Sequence, residues 1–231
     1  MAAKLTPLHP ACQQLGAQFA EVCGWHIAEI YSGVQTEVEA AQRGVGLGDD
    51  TPNGRLTIQS TQAEAVVQAA LPAPAQAGAG AAVGAGTRIY RLRQDLFFIS
   101  TPPGEEEAVQ EKLSAAGAAA DHFATVVDIT HGRAEIRLVG PASQALLSKV
   151  CGLDFASAAF PDGTARQSSL ARTSQLIIRR DAGSLPGFSI IGKRSLGLYV
   201  WDIISQAGRE WGLTPIGRAA LDLLEKDKQS A

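Results

Sequence analysis

The sequence is short of cysteine and aromatic residues, and it contains no long uncharged apolar segment. Its three cysteines, Cys12, Cys23 and Cys151, are scattered and show neither the paired spacing of a zinc site nor a disulfide framework. We expect them to be small core residues in a reducing cytosol.

The N-terminus lacks the apolar core of a signal peptide, and no apolar run approaches the ~20 residues of a membrane span. The composition therefore predicts a cytoplasmic protein that does not cross a membrane.

Charge of either sign is not in excess, because 20 lysines and arginines and 23 acidic residues are interspersed to give a net charge of -3. Without a basic face to collect phosphates, we expect no nucleic-acid partner.

The histidines His9, His26, His122 and His131 never reach metal-ligand spacing, so we predict no metal site. The glycine-rich segment 44–50 follows a helical pattern and does not open a helix after a strand, which indicates a helix end and turn instead of a phosphate cradle. No set of nucleophile, base and acid can be assembled, and we predict no catalytic residue.

The strongest positive feature is an internal repeat. GRLTIQSTQAEAVVQAAL (54–71) and AEIRLVGPASQALLSKV (134–150) each show an alternating apolar strand, a turn and a helix with apolar residues at helical spacing. The first copy is followed by a hairpin predicted around Gln94-Asp95 and a helix, and the second by a hairpin predicted around 182–187 and a helix. The pattern predicts an α+β fold of two tandem pseudo-symmetric β-α-β-β-α subdomains, residues 1–120 and 121–231, with antiparallel sheets packed under helices in one compact body.

Two segments have less definite patterns. LPAPAQAGAGAAVGAG (71–86) is rich in Pro, Gly and Ala and predicts a loop with little to pack. Trp201, near Tyr199 in the last long helix pattern, fits either the core or a docking face, and the sequence does not separate these.

Several motifs, in order, resemble the opening of the glycine-cleavage T-protein family, the tetrahydrofolate-dependent aminomethyltransferases. They are TPLH (6–9), LGAQF (15–19), GW (24–25), YSGV (31–34), EVEAAQRGVGLGD (37–49) and NGRLTI (53–58). The second half, especially 124–155 and 161–180, is similar to the gamma subunit of heterotetrameric sarcosine oxidase of the same superfamily. A T-protein would continue beyond 215–217 into a barrel-like domain, which we expect to be absent here.

The resemblance implies a folate pocket and allows its residues to be checked. Aligning Tyr90-Arg91-Leu92 with the family's strand places Ala85 and Gly86 where the family has paired aspartates, one of which holds the reacting nitrogen of the folate. Thr101 replaces the asparagine that usually ends the partner strand. Tyr90 and Thr101 are thus the predicted cofactor-binding residues.

Two more pocket positions have become apolar. The family's glutamate that pairs with the pterin edge aligns with Leu185, and its arginine near the end of the domain aligns with Leu221. Unpaired pterin donors would each cost about 1–3 kcal/mol. The resemblance therefore implies a folate-fold protein of glycine or sarcosine metabolism whose pocket is degenerate. Such a protein would act as a binding module or as a partner subunit of a larger oxidase or of the glycine-cleavage system, with folate as its possible ligand. The alternatives are an active tetrahydrofolate-dependent aminomethyltransferase and a purely structural partner protein with a closed cavity.

Overall fold

The computed structural model describes residues 3–71, 78–83 and 86–226. Its strands are β1 Lys4–Leu5, β2 Gln18–Val22, β3 Trp25–Ile30, β4 Gly46–Asp49, β5 Gly54–Gln59, β6 Gly80–Val83, β7 Thr87–Arg93, β8 Leu96–Thr101, β9 Thr125–Asp128, β10 Arg133–Val139, β11 Ala165–Leu170, β12 Thr173–Arg179, β13 Gly187–Lys193 and β14 Thr214–Pro215. Its helices are α1 His9–Gln14, α2 Val34–Arg43, α3 Ala63–Ala70, α4 Glu106–Ala119, α5 Ser143–Val150, α6 Gly197–Ala207 and α7 Arg218–Lys226.

The chain forms two compact units. The first comprises the described residues up to Thr51, then Arg133–Asp162, and then those from Gln167 on; the second comprises Pro52–Gly132 and Gly163–Arg166. The predicted boundary between residues 120 and 121 refers to the sequence repeat, not to these units, and stays a prediction.

The second unit is built on a five-stranded sheet in the order β6-β7-β8-β5-β9, with every neighbouring pair antiparallel. Leu56 and Ile58 of β5 alternate with polar residues and lie in the core, where Val66 and Val67 of α3 and Leu113 of α4 cover them. The apolar period of two on the strand and the helical period on α3 thus bury one face of each element against the other.

The first unit contains a six-stranded sheet in the order β11-β12-β13-β10-β4-β14. Its core face carries Ile136, Leu138 and Ile190, which pack against α5 and α6. Trp201 of α6 is buried in this core, which decides between the two roles left open for it. A separate three-stranded sheet, β1-β3-β2, belongs to the same unit.

The strand orders confirm the predicted α+β architecture with tandem repeats. In each large sheet the hairpin lies beside the first strand of its repeat, as β7-β8-β5 in one and β12-β13-β10 in the other. On its other side, the first strand of each repeat pairs with the strand that precedes the other repeat. Strand β5 of the first repeat pairs with β9, and strand β10 of the second repeat pairs with β4.

Three sequence predictions need correction. Within the segment predicted to be a loop, Gly80–Val83 is strand β6 and pairs with β7, while residues 72–77 and 84–85 lie outside the described residues. Within the segment predicted to be a helix end and turn, Gly46–Asp49 is strand β4, because its pairing with β10 outweighs the low strand propensity of glycine. Cys12 and Cys151 are buried, but Cys23 is exposed in the two-residue turn between β2 and β3.

Two features are absent from the described part of the chain. None of its helices is both long and apolar enough to cross a membrane. Nor do its His, Cys, Asp and Glu side chains gather anywhere in a group of three or more that could hold a metal ion.

Candidate functional site

Tyr90, a predicted cofactor-binding residue, is buried on β7. Its neighbour Ile89 lies in the core, so strand alternation places the Tyr90 ring on the opposite face of the sheet. There it faces its cross-strand partner Phe98, with ring centroids 6.3 Å apart. The ring also covers the backbone of Gly80, where an added Cβ would lie only 2.3 Å from a ring carbon. Tyr90 is therefore held by packing on two sides.

Thr101, the other predicted binding residue, is buried at the end of β8. Its Oγ1 donates a hydrogen bond of 3.0 Å to the carbonyl of Pro102. A Cβ at the facing Gly54 would lie 2.2 Å from Thr101 Oγ1, so only glycine fits there. Strand alternation places Thr101 on the opposite face from Phe98 and hence from Tyr90. A joint role of Tyr90 and Thr101 stays a prediction.

The positions of the expected acids carry no carboxylate. Ala85 lies outside the described residues. Gly86 has a φ of 101° at the start of β7, and a Cβ there would meet Pro102 Cγ at 2.9 Å. The position thus suits glycine for both its backbone conformation and its lack of space.

Three charged side chains of the two hairpins, Arg91, Asp95 and Asp181, are already engaged in contacts. Arg91 forms an ion pair of 3.0 Å with Glu64, and Asp95 accepts hydrogen bonds from Gln59 and Arg93. In the other unit, Asp181 accepts a two-pronged contact from Arg179, at 2.9 and 3.1 Å.

That contact also braces the hairpin turn that carries Leu185. Asp181 Oδ1 accepts a hydrogen bond of 3.0 Å from the backbone N–H of Gly187, and Arg179 Nη1 donates one of 2.8 Å to the carbonyl of Phe160. The polar side chains of the turn therefore hold the turn itself.

Leu185 and Leu221 belong to one hydrophobic cluster, which we call the α7 cluster. It contains Val38, Ala41, Val139, Ala182, Ile216, Ala220, Leu221 and Leu224, with Val34 and Leu185 packed against it. The two positions expected to carry a glutamate and an arginine thus both contribute to apolar packing under α7.

Beside the α7 cluster lies a group of charged side chains that the sequence interpretation missed. We call it the arginine network; its members are Asp50, Glu135, Arg137, Arg180 and Glu225. Arg137 is fully buried on β10, and Arg180 follows β12. Arg137 Nη2 donates to the Arg180 carbonyl at 2.6 Å and to Glu225 Oε1 at 3.2 Å, and Arg180 Nη2 contacts Asp50 Oδ2 at 2.7 Å.

The network is held together by opposite charges around the fully buried Arg137. Burial lowers the pKa of Arg137, and the neighbouring Arg180 lowers it further, whereas Glu225, Asp50 and Glu135 oppose this shift. The sequence did contain a signal for this network. Glu135 and Arg137 alternate with apolar residues on β10, which indicates charged groups on the second face of a strand whose first face is core.

Comparison with known proteins identifies the family. Residues 8–230 match the GCVT N-terminal domain. The chain belongs to this family.

The relatives of this GCVT-domain chain include an aminomethyltransferase and an oxidase. It is 26% identical over 231 residues to an aminomethyltransferase of Saccharopolyspora erythraea, covering 95% of this chain and 62% of that protein. It is 29% identical over 255 residues to the 4-methylaminobutanoate oxidase (formaldehyde-forming) of Paenarthrobacter nicotinovorans, covering 96% of this chain and 30% of that protein. The GCVT-domain chain thus spans less than two thirds of the length of these relatives.

Solved structures share the fold. The aminomethyltransferase T of the Bartonella henselae glycine cleavage system superposes with a TM-score of 0.82 and 21% identity, over 96% of this chain and 62% of that one. A chain of the heterotetrameric sarcosine oxidase of Corynebacterium sp. U-96 superposes with a TM-score of 0.65 and 23% identity, over 78% of this chain and 93% of that one. Both matches agree with the α+β fold described above.

Proposed function

We propose that this GCVT-domain chain has a degenerate folate pocket and acts as a cytoplasmic subunit or binding module in one-carbon, glycine or sarcosine metabolism, without catalysing aminomethyl transfer. The observation that carries the proposal is the shared packing of Leu185 and Leu221 in the α7 cluster. Two positions that would recognise a polar ligand instead complete a hydrophobic core.

Tetrahydrofolate is the cofactor that the family resemblance implies, and the residues present do not fit it. A pterin ring has several N–H donors that need acceptors, and Leu185 has none. Each unpaired buried donor costs about 1–3 kcal/mol, and every 1.4 kcal/mol, roughly, is tenfold in affinity. Tyr90 and Thr101 remain the candidate contacts, but packing and a local hydrogen bond already hold them.

Proton transfer lacks its expected group as well. Gly86 has no side chain, and Asp95 and Asp181 are paired with arginines. Loss of a positioned general acid or base costs about 10²- to 10⁴-fold in rate. Without the expected aspartates, we expect a binding or scaffolding role and no aminomethyl transfer.

A role as a subunit is supported by the kinds of protein in which this fold occurs. One structural neighbour is a chain of a heterotetrameric oxidase, and one relative is an oxidase in which the matched part is 30% of the protein. We propose a larger oxidase or a glycine-cleavage protein as the partner. Co-expression with an oxidase subunit or a glycine-cleavage protein from the same organism, followed by size-exclusion chromatography, tests the proposal: co-elution at a fixed stoichiometry would support it.

The pocket is tested by titrating the purified chain with tetrahydrofolate and measuring aminomethyl transfer. The Saccharopolyspora erythraea aminomethyltransferase serves as the positive control. We expect no transfer and at best millimolar binding by this chain. Micromolar binding together with turnover would contradict the proposal and identify an active tetrahydrofolate-dependent aminomethyltransferase.

A further inference from the structure

Glu225 accepts hydrogen bonds from both arginines of the arginine network. Its Oε1 accepts hydrogen bonds from Arg137 Nε at 3.3 Å and Arg137 Nη2 at 3.2 Å, and a third, short one from Arg180 Nη2. Charge-assisted hydrogen bonds from arginine are among the strongest contacts that proteins make to carboxylates, and Glu225 accepts three of them.

Glu225 differs from the other acids of the network in its position. Asp50 and Glu135 come from the strand region of the sheet, and their side chains are 12% and 1% exposed. The Glu225 side chain is 29% exposed and belongs to the last turn of α7. Because helix ends open locally at low cost, Glu225 can leave the network when the last turn of α7 opens.

The departure of Glu225 would deprive Arg137 of its nearest carboxylate. The network has two arginines and three carboxylates, so it carries one net negative charge, and it becomes neutral when Glu225 leaves. Among the described residues, Arg137, fully buried, would then keep Asp50 at 4.0 Å as its carboxylate within ion-pair distance, besides backbone carbonyls. A buried guanidinium that loses its main partner is costly, so a monocarboxylate from solution would be favoured at the same place.

We propose that Arg137 and Arg180 form a binding site for a small carboxylate, which Glu225 fills as an internal substitute until a ligand displaces it. This site goes beyond the proposed function and does not depend on it, since it uses neither Tyr90 nor Thr101 nor the leucines of the α7 cluster. Helix α7 acts as its closing element.

The experiment removes the internal carboxylate and supplies an external one. In Glu225→Ala we expect a lower melting temperature than in the wild type. Sodium acetate or formate should then raise it with saturation, whereas sodium chloride at equal ionic strength should not. Acetate should bind at least about tenfold more weakly to the wild type, because Glu225 competes for the site. Binding is measured directly by NMR titration of the backbone amides of β10 and α7.

Two control variants separate a site from a structural ion pair. Asp222→Ala removes a carboxylate from the same helix that pairs with Arg218 instead, and it should show no carboxylate response. Arg137→Leu in the Glu225→Ala background should abolish the saturable response. If Glu225→Ala does not fold, Glu225→Ser, which also vacates the site, serves for the same titration. The proposal is wrong if acetate and formate act no differently from chloride on whichever of these Glu225 variants folds.

Discussion

Leu221 of α7 lies directly over Gly48 of β4, so close that a Cβ on Gly48 would meet Leu221 Cδ1 at 2.7 Å. At Gly46, two residues earlier on the strand, a Cβ would meet Ile216 Cδ1 at 2.5 Å. The glycines of β4 therefore let the segment leading into α7 and the helix itself approach the sheet, and the large side chains opposite fill the space. This complementarity requires an apolar residue at position 221.

The contact between Gly48 and Leu221 is tested by a double-mutant cycle. Gly48→Ala should lower the free energy of unfolding by about 1–3 kcal/mol through overpacking, and Leu221→Ala by about 2–5 kcal/mol through a cavity. In the double variant the added methyl group occupies part of the cavity, so we expect it to be more stable than the sum by about 0.5–3 kcal/mol. Urea denaturation gives all four values, and strictly additive effects would mean that the two side chains do not share this space.

Gly80 and Tyr90 form a second pair of this kind, in the other unit. Gly80→Ala would place a methyl group against the Tyr90 ring and near the Gly163 carbonyl, at 2.9 Å. We expect a loss of about 1–3 kcal/mol and a changed near-ultraviolet circular dichroism signal from a displaced ring. Gly132→Ala is the matched control, because a Cβ there meets nothing within 4 Å. Equal behaviour of the two variants would show that Tyr90 does not rest on β6.

The sequence predicted those features of the fold that depend on local periodicity. Strands β5 and β10 and helices α3 and α5 follow directly from alternation and helical spacing, and the turn at Gln94-Asp95 has the length of a two-residue hairpin. Strand β4 could not be predicted this way. Its residues Gly46 and Gly48 have low strand propensity, and only pairing with β10, distant in sequence, makes the segment a strand.

The sequence predicted which of the family's residues the candidate site lacks, but not which contacts the residues present make. Alignment of motifs showed leucines at 185 and 221, but not that both enter one cluster, because they come from different elements. The arginine network was missed for the same reason: Arg137 and Glu225 are 88 residues apart in sequence.

The buried carboxyl group of Asp49 is expected to make the stability of the protein depend on pH. Burial raises the pKa of its carboxyl group, while hydrogen bonds from Thr51 and Thr6 oppose the shift. The folded protein thus keeps a proton on Asp49 at pH values where the unfolded chain, with an ordinary aspartate pKa of about 3.9, has lost it. The contribution of Asp49 to the free energy of unfolding is therefore lost as the pH rises from the unfolded-state pKa through the folded-state pKa.

Asp49→Asn removes this titration and can still accept from the Thr51 N–H and donate to Thr6 Oγ1. We expect the stability of the variant relative to the wild type to increase as the pH is raised from about 4 towards neutrality. Urea denaturation across that range measures the difference. A difference that is constant, or that falls with rising pH, would contradict a raised pKa at Asp49.

Replacing one carboxylate oxygen of Glu37 is expected to have a large effect on the free energy of unfolding. Its side chain is fully buried; Oε1 accepts hydrogen bonds from the backbone N–H groups of Tyr31, Ser32 and Gly33 at 2.7, 2.9 and 3.2 Å, and Oε2 accepts one from Gly217 at 2.6 Å. This carboxylate thereby ties the start of α2 to the residue before α7. Glu37→Gln would turn one acceptor into an NH₂ group that faces a donor.

We expect Glu37→Gln to lower the free energy of unfolding by about 2–4 kcal/mol, because a charge-assisted bond is lost and a buried N–H is left unpaired. Glu39→Gln on the same helix is the control, since its exposed contact of 3.8 Å with Arg43 should be worth less than about 1 kcal/mol. Hydrogen exchange should also show faster exchange of the Gly217 amide in Glu37→Gln alone. If both variants unfold at the same urea concentration, the four backbone bonds do not stabilise the fold, and the anchoring of α7 must come from the α7 cluster and the arginine network instead.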